Sequence, residues 1–545
     1  MPKNDYLCKF NLIFFMRKIF VFITLLFPFV LSSQNLNVSG IQEGVWNYDT
    51  IFVVGDVVVP EDKSLTIKEG SKVIFEDYYN ILVKGTFEAV GSANDSIYFT
   101  VSDTTGFHIW DSGKGGWNAI TFQDVKNTVR LRYCHFSYGK AVDDNRYGGA
   151  LRFFNTDNVE INDCTFSNNF TSGKGAALYA INSNFKIKNC EVNDNLGYNG
   201  DGEYMHGGGF QFLRCDVVME DMYFHDNYCE SCYGGGVNFD SCNVNVNKAI
   251  FEDNYAVNAG GMGIQRSNHL STMISNILFN NNIAYHYGGA MAMATSSPLV
   301  QNVTMANNYC IAAGGGAMQF LSEARPIFKN CIIWGNDWYG EHGSVTDGSQ
   351  IFIWGSDCEP EFYHSVLEGG YKVIHGYSNI TVYDKATMIE DDPLFIDTAN
   401  RNFQLSYESP AINSGTADTT GLIIPPTDLA GNPRVIGDRI DMGCYESDAT
   451  SLKEINTDIK NINIYPNPIN SNSICEFILK NKSNVHAKIY NQKGSLIYSK
   501  HYGMIPSGMN EISLKDFIKS IQKDNNIYFL VIETEKETLN VKFIH

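Results

Sequence analysis

Two stretches of the chain hold side chains suited to acid–base chemistry. Asp143, Asp144 and Arg146 sit in one, and Asp201, Glu203 and His206 in another. Two carboxylates roughly 5–9 Å apart would suit glycoside hydrolysis. A base beside an Arg or a calcium ion would suit elimination from a uronate. A second set is aromatic: Tyr147, Tyr198, Tyr228, Tyr233, Tyr255, Tyr285, Tyr287 and Tyr309. Tyrosines presented in a row can stack on sugar rings while amides and carboxylates take the hydroxyls. Each reading has a plain counterpart. Acidic loop residues are usually solvated, and tyrosine also serves as edge packing. No paired-Asp signature returns in register, and His206, His225, His269 and His286 lack metal-ligand spacing.

The elements that must position these groups are announced by a repeat. An apolar residue, two spacers and Asn recur at Phe166-x-x-Asn169, Phe224-x-x-Asn227, Phe251-x-x-Asn254 and Phe279-x-x-Asn282. Weaker copies are Val192-x-x-Asn195, Met305-x-x-Asn308 and Ile333-x-x-Asn336. Each is followed by a loop and a glycine pair or triplet, such as Gly207-Gly208-Gly209, Gly234-Gly235-Gly236 and Gly288-Gly289. The interval, about 27 residues, lies in the range of stacked repeat architectures. Within one unit Phe185/Ile187 and Cys190/Val192 alternate with polar residues, which is the period of a strand buried on one face. Asn189 falls where the inward register slips by one, and Asn tolerates the left-handed backbone of a bend. Strand, bend, strand, loop, strand at this period predicts one rung of an all-β, right-handed parallel β-helix solenoid. The Asn columns read as structural amide ladders. All the loops between each Asn and the next glycines then project on one side, and they carry the tyrosines.

Bulk properties narrow the class. Hydrophobic residues make up 44% and charged residues 18%, so the chain is folded. A net charge of −20 argues against nucleic acid or an anionic membrane surface as partner and leaves room for calcium, with no other cofactor implied. At the N-terminus, Arg17-Lys18, an apolar run over 19–31 and Ser32-Ser33 read as a secretory signal ending at residue 33, with Met16 as the true start. The run is too short for a spanning helix, which needs roughly 20 residues, so no transmembrane anchor is expected. Of 13 cysteines, Cys8 falls in the removed segment. Cys134, Cys164 and Cys190 share one repeat position, and Cys215 and Cys242 another. A disulfide such as Cys215–Cys242 and a ladder of buried thiols are both open. Cys229-x-x-Cys232 has no second pair at zinc spacing.

Three further sets of residues carry resemblances. Ser64-Leu-Thr-Ile67, Lys72-Val-Ile-Phe75 and Ile81-Leu-Val-Lys-Gly85-Thr-Phe87 resemble the leading rungs of bacterial extracellular β-helix proteins, with residues 35–60 expected as the cap. The Phe-x-x-Asn and Gly149-Ala150, Gly289-Ala290, Gly316-Ala317 pairs resemble the repeats of chlamydial-type polymorphic outer-membrane proteins, which implies a surface-exposed, adhesive helix. Asp392-Pro-Leu-Phe395, Phe403-Gln-Leu405, Ser409-Pro-Ala-Ile412, Asp428-Leu-Ala-Gly431 and Asp441-Met-Gly443 follow in the order of the terminal module of choice-of-anchor β-helix proteins. There Asp428, Arg434, Asp441 and Glu446 read as ties within an irregular cap.

Composition shifts again after Glu446. Ile462-Asn-Ile464-Tyr465-Pro466-Asn467-Pro468, Ala487-Lys-Ile489-Tyr490 with the Lys493-Gly494 turn, and Ile527-Tyr528-Phe529 describe a small β-sandwich. The ordered set resembles the C-terminal sorting domain of the type IX secretion system of Bacteroidota, with Tyr465, Pro466, Asn467, Pro468, Lys493 and Gly494 as its marks. That resemblance implies export to the outer surface or medium through the type IX machinery. The expected organisation is a signal peptide over 1–33, cap and leading rungs over 34–125, repeats over 126–389, a terminal module over 390–446, a linker over 447–460 and the sorting domain over 461–545. The expected function is a monomeric glycan-binding or adhesive surface module using Tyr147, Tyr198, Tyr233, Tyr255 and Tyr287, bound to an extracellular glycan or a host or cell surface. The alternative is a polysaccharide lyase or glycoside hydrolase using Asp143, Asp144, Arg146, Asp201, Glu203 and His206.

Overall fold

The computed structural model describes residues 34–142, 146–198, 205–267, 272–338, 350–376, 382–416, 424–436, 439–447, 459–520, 526–535 and 538–544. The chain divides into two compact units, 1–447 and 448–545.

The first unit is a parallel β-helix. Each rung runs through four short strand segments, and each segment pairs in parallel with its counterpart one rung away. The rung around Phe224 shows the plan. Phe210–Leu213 lies in the first ladder, and the two halves of Asp216–His225 lie in the second and third. Tyr228–Cys229 and Cys232–Tyr233 lie in the fourth. Pairing in the second and third ladders is continuous from Asn184–Asn193 through Asp216–His225 to Asn243–Glu252.

Corners are made by residues in the left-handed region, and the bend foreseen at Asn189 is one of them (φ 52°). Its equivalents on neighbouring rungs are Asp163, Asp221, Lys248 and Asn276. The next corner explains the repeat motif. The spacer just before the first six ladder Asn residues is Asn168, Asp194, Asp226, Asp253, Asn281 or Asn307, each with φ between 53° and 56°, and before Asn336 it is Gly335 at 67°. Asn and Asp enter this conformation at the smallest cost among residues with a Cβ. The chain therefore turns there and aims the following Asn into the stack.

Inside the turn, Asn169, Asn195, Asn227, Asn254, Asn282, Asn308 and Asn336 form one continuous amide ladder. Each Nδ2 donates to the next Oδ1 at 2.8–2.9 Å. Each also donates to the carbonyl of the preceding rung's apolar residue, as Asn254 does to Phe224 at 2.9 Å. The series ends on Gln350, which Asn336 reaches at 2.8 Å and which in turn donates to Glu368. The apolar residues stack beside it. Phe224, Phe251 and Phe279 are fully buried, with ring centroids 4.8 and 4.9 Å apart. That spacing is the separation of paired strands, about 4.8 Å, so stacked aromatics pack without distorting the backbone.

Two expectations need correction. Residues 35–60 do not form a separate cap. Asn35–Ile41 and Gly44–Trp46 are the first rung itself, paired in parallel with Thr50–Val59 and Ser64–Ile67. Their inward Val38 and Trp46 join the solenoid core, which favours a rung over a lid. The module over 390–446 does not sit on the end of the stack but against its flank. Phe403 and Cys444 pack on Leu278 and Ala306, while Leu405, Ala411 and Met442 pack on Ile332 and Val366. Asn276 donates to the Thr427 carbonyl at 3.1 Å, and Cys444 N donates to Thr304 Oγ1 at 3.1 Å. Arg401 pairs with Glu252 and Asp253 at 2.9 and 2.7 Å. Met273–Asn280 is consequently buried on both faces.

The module's own ties match the structural reading of its polar residues. Arg434, about 1% exposed, lies 3.3 Å from the fully buried Glu446 carboxylate. Asp428 accepts from the amides of Asn432 and Glu446, and Asp441 from those of Asn413 and Ser447. Cys215 and Cys242 are free buried thiols, as are Cys134, Cys164 and Cys190. Among the described residues the bonded pair is Cys229–Cys232.

The second unit is an antiparallel β-sandwich of a three-stranded and a four-stranded sheet. Its core holds Phe477, Val485, Ile489, Leu530, Ile532 and Phe543. Lys493-Gly494 makes the turn between Ser483–Asn491 and Leu496–Ile505, where Asn491 Oδ1 accepts from Lys493 and Ser495. Asn467 Oδ1 accepts from the Ile544 amide at 3.0 Å, tying the Tyr465–Pro468 segment to the last strand.

Candidate functional site

The fourth ladder decides where the tyrosines go. Its hydrogen bonding aligns Lys140, Phe170, Leu196, Tyr228, Tyr255, Ile283, Tyr309 and Asp337 in one outward column. Between that column and the core lie small residues: Ala141, Thr171, Cys229, Ala256, Ala284 and Cys310, all buried. Two residues further along each rung stand Tyr198, Glu230, Val257, Tyr285 and Ile311. Together these positions form an aromatic and aliphatic face.

One end of this face is covered. Phe107 packs on Phe170, and Lys140 donates to the carbonyls of Gly106 and Lys114 at 3.3 and 3.0 Å. Burial pulls the Lys140 ammonium down to about 8. Beyond Phe170 the face opens. Tyr228 and Tyr255 stack with centroids 4.6 Å apart and planes 6° apart, and Tyr228 and Tyr285 are 41% and 43% exposed. Partial burial first, then the Glu230 carboxylate, raises the Tyr228 phenol above its ordinary range. Tyr255 is raised by burial, then by Tyr228, Tyr285 and Glu230. Both phenols therefore stay neutral donors at physiological pH.

Glu230 is placed by a short device. The rungs of Tyr255–Asn258 and Ile283–Tyr287 cross the face as unbroken strands. The rung before them breaks at Glu230-Ser231, and Cys229–Cys232 closes the resulting turn. The Glu230 amide donates to the Gly197 carbonyl at 3.1 Å, which seats the turn on the previous rung. Glu230 was not among the residues singled out from sequence. Cys229-x-x-Cys232, which lacks a second pair at zinc spacing, was the available signal.

Tyr147, Tyr233 and Tyr287 belong elsewhere. Bridges and strand pairs align Tyr147, Lys174, His206, Tyr233, Asn258 and Tyr287 in a separate column beyond the loops. Tyr147 stacks on Tyr179 at 4.8 Å, and Tyr287 on Phe352 at 5.5 Å. This column closes over outward residues of the first ladder, so Arg152, Gln211, Asn238 and Gln319 are buried although they face away from the core. The glycines make this possible. At Gly234 (φ +77°) a Cβ would lie 2.2 Å from the Val237 carbonyl, and only glycine passes there. Tyr233 and Tyr287 thus pack into this column, Tyr147 stacks on Tyr179 while staying 40% exposed, Tyr198 packs against the covered Phe107–Phe170 end, and Tyr255 lies on the open face.

Of the six acid–base candidates, Arg146 and His206 fall among the described residues. Asp143, Asp144, Asp201 and Glu203 lie outside the described residues. The Arg146 carbonyl accepts from Lys174 N and Thr171 Oγ1 at 2.8 and 2.9 Å, a structural role. Burial, then Lys174, drops the His206 imidazole to about 4, so it is neutral at pH 7. Its Nδ1 has no hydrogen-bond partner among the described residues. Arg152 was missed from sequence. It lies with Tyr147, Phe154, Asn80 and Asn118 around a pocket of about 190 Å³ and donates to Asn118 Oδ1 at 2.7 Å. Burial lowers its guanidinium to about 10, still charged. Among the described residues no group of three or more His, Cys, Asp or Glu is arranged to hold a metal. No helix of the described residues is long and apolar enough to cross a membrane.

Comparison with known proteins adds one match of sequence. Residues 163–181 match the Chlamydia polymorphic membrane protein (Chlamydia_PMP) repeat. That stretch holds Phe166-x-x-Asn169 and Gly175-Ala176, the corner and glycine passage of one rung. No curated protein matches the chain. A similar solved structure is the enzymatically active domain of bacteriophage CBA120 tailspike protein 2. It shares 9% identity at a TM-score of 0.17, over 94% of this chain and 72% of that one. At that score the superposition informs neither site nor activity.

Proposed function

We propose that the chain is a surface-exposed or secreted β-helix protein whose first unit binds glycan chains along the open face of the fourth ladder. One observation carries the reading: Tyr228 and Tyr255 stand in register on adjacent rungs, stacked and partly exposed, with Tyr198 and Tyr285 beside them. The stacked pair offers its exposed ring edges and neutral phenol hydroxyls, and the outer ring face at either end of the pair, to an extended saccharide. The Chlamydia polymorphic membrane protein repeat match supports placement at an outer surface. The test is a glycan-array screen of the full chain beside Tyr228→Ala and Tyr255→Ala. Each substitution removes one platform, worth about 0.5–1.5 kcal/mol beyond area burial. An approximately tenfold affinity loss is expected, and binding that survives both substitutions unchanged refutes the reading.

The second unit serves, in this reading, as the type IX sorting domain. Its sandwich, its Tyr465-Pro466-Asn467-Pro468 segment and its Lys493-Gly494 turn support that role. Removing residues 459–545 should trap the remainder in the periplasm of a type IX-competent host. Export of the truncated chain would rule the role out.

A further inference from the structure

Charge selects among the saccharides that an aromatic face accepts. In the two outward columns of the fourth ladder, the one cation among the described residues is Lys140, and it is buried under Phe107 with its ammonium turned to two carbonyls. The carboxylates are on the open part. Glu230 is exposed at the Cys229–Cys232 turn, two residues along the same rung from Tyr228, and Asp337 is exposed at the end of the tyrosine column. After burial, the described groups that raise the Tyr228 and Tyr255 phenols are Glu230 and neighbouring phenols. The ring faces are themselves electron-rich and attract ammonium groups. The chain carries a net charge of −20, which repels polyanions at longer range.

We infer that the open face selects amine-bearing saccharides and discriminates against uronic-acid and sulfated ones. This rests on the glycan-binding reading and adds the ligand's charge to it. The amino group of a 2-amino-2-deoxy sugar would meet Glu230 while the pyranose ring lies on Tyr228 or Tyr255. The disulfide turn matters because it holds the carboxylate beside the rings, so the geometry of charge and platform does not depend on a free loop. A uronate in the same position would place its carboxylate against Glu230 with no cation to offset it, and a like-charge juxtaposition is what excludes wrong partners at an interface.

Calorimetric titration of the full chain with three hexasaccharides of equal length tests this: a glucosamine oligomer, its fully N-acetylated counterpart and an oligogalacturonate. The glucosamine oligomer is expected to bind best and the galacturonate worst. Glu230→Gln should cost the amine oligomer about two- to fivefold, the range of one exposed ion pair, and leave the N-acetylated oligomer unchanged. Raising the salt to about 1 M, where the screening length falls to about 3 Å, should erase the same preference. Galacturonate binding as tight as the amine oligomer overturns the inference. So does a preference that survives Glu230→Gln. If the N-acetylated oligomer binds and loses affinity in Tyr255→Ala while charge makes no difference, the glycan-binding reading stands and the charge selection falls. If none of the three binds, both fall.

Discussion

Asn254→Ala should be among the most damaging single substitutions in the solenoid that leave the aromatic core untouched. Asn254 is fully buried. Its Nδ2 donates to Phe224 O and to Asn282 Oδ1, both at 2.9 Å, and its Oδ1 accepts from Asn227 N at 3.2 Å and Asn227 Nδ2 at 2.9 Å. Alanine leaves the Phe224 carbonyl and the Asn227 amide buried without these partners. Each orphaned buried group costs about 1–3 kcal/mol, so the two together predict a loss of about 2–6 kcal/mol before any small cavity is counted. The comparison is Asn184→Ala, an exposed strand position whose side chain makes one long bond to Asp157 at 3.4 Å. An exposed site of that kind should move stability by no more than about 0.5 kcal/mol. Urea unfolding followed by far-ultraviolet circular dichroism gives both values, and hydrogen exchange should place the lost protection at the rungs of Phe224, Phe251 and Phe279. A difference between the two variants under about 1 kcal/mol would show that the amide ladder is not what ties the rungs, and the stacking argument would fail with it.

Three other expectations follow from the flank and the turn. Phe403 is 1% exposed where the terminal module meets Leu278 and Ala306; Phe403→Ala should cost about 3–5 kcal/mol and speed proteolysis within 392–446, and unchanged cleavage would contradict the flank packing. Burial raises the Glu446 carboxyl to about 8 against the Arg434 charge that lowers it. A folded value above the unfolded one makes its contribution full below about pH 4.5 and lost as pH rises through about 8, so urea midpoints should fall between pH 5.5 and 8.5 and Glu446→Gln should flatten that slope. Cys229 and Cys232 should resist alkylation in the denatured, non-reduced chain while Cys215 and Cys242 react; mass spectrometry showing all four modified would remove the turn that holds Glu230.

Much of the solenoid was legible from one dimension. The Phe and Asn columns could be read because the same residue types return at an interval of about one rung, and strand alternation around Phe185/Ile187 and Cys190/Val192 predicted the inward faces that the structure shows buried. The bend at Asn189 was legible because the inward register slips there. The candidate site was read less well. Counting from each Asn placed all the tyrosines in one set, yet they divide between the fourth-ladder face and a separate column. Loop lengths after the fourth ladder differ from rung to rung, so residue count ceases to give register, and Tyr233, Asn258 and Tyr287 align only through their hydrogen bonds. The outward but buried Arg152 was invisible for a related reason: what covers it comes from the column closing over the first ladder.

By itself, then, the sequence determined the winding: which side chains point inward, where the chain turns and what lies above what. Those choices depend on contacts one period away, and periodic contacts leave a periodic signature. Only the tertiary structure decided which outward surfaces stay open. Asn276 meets Thr427 across 151 residues, and the module that brings Thr427 there fits the flank through aperiodic contacts of shape and charge, which no interval in the sequence announces.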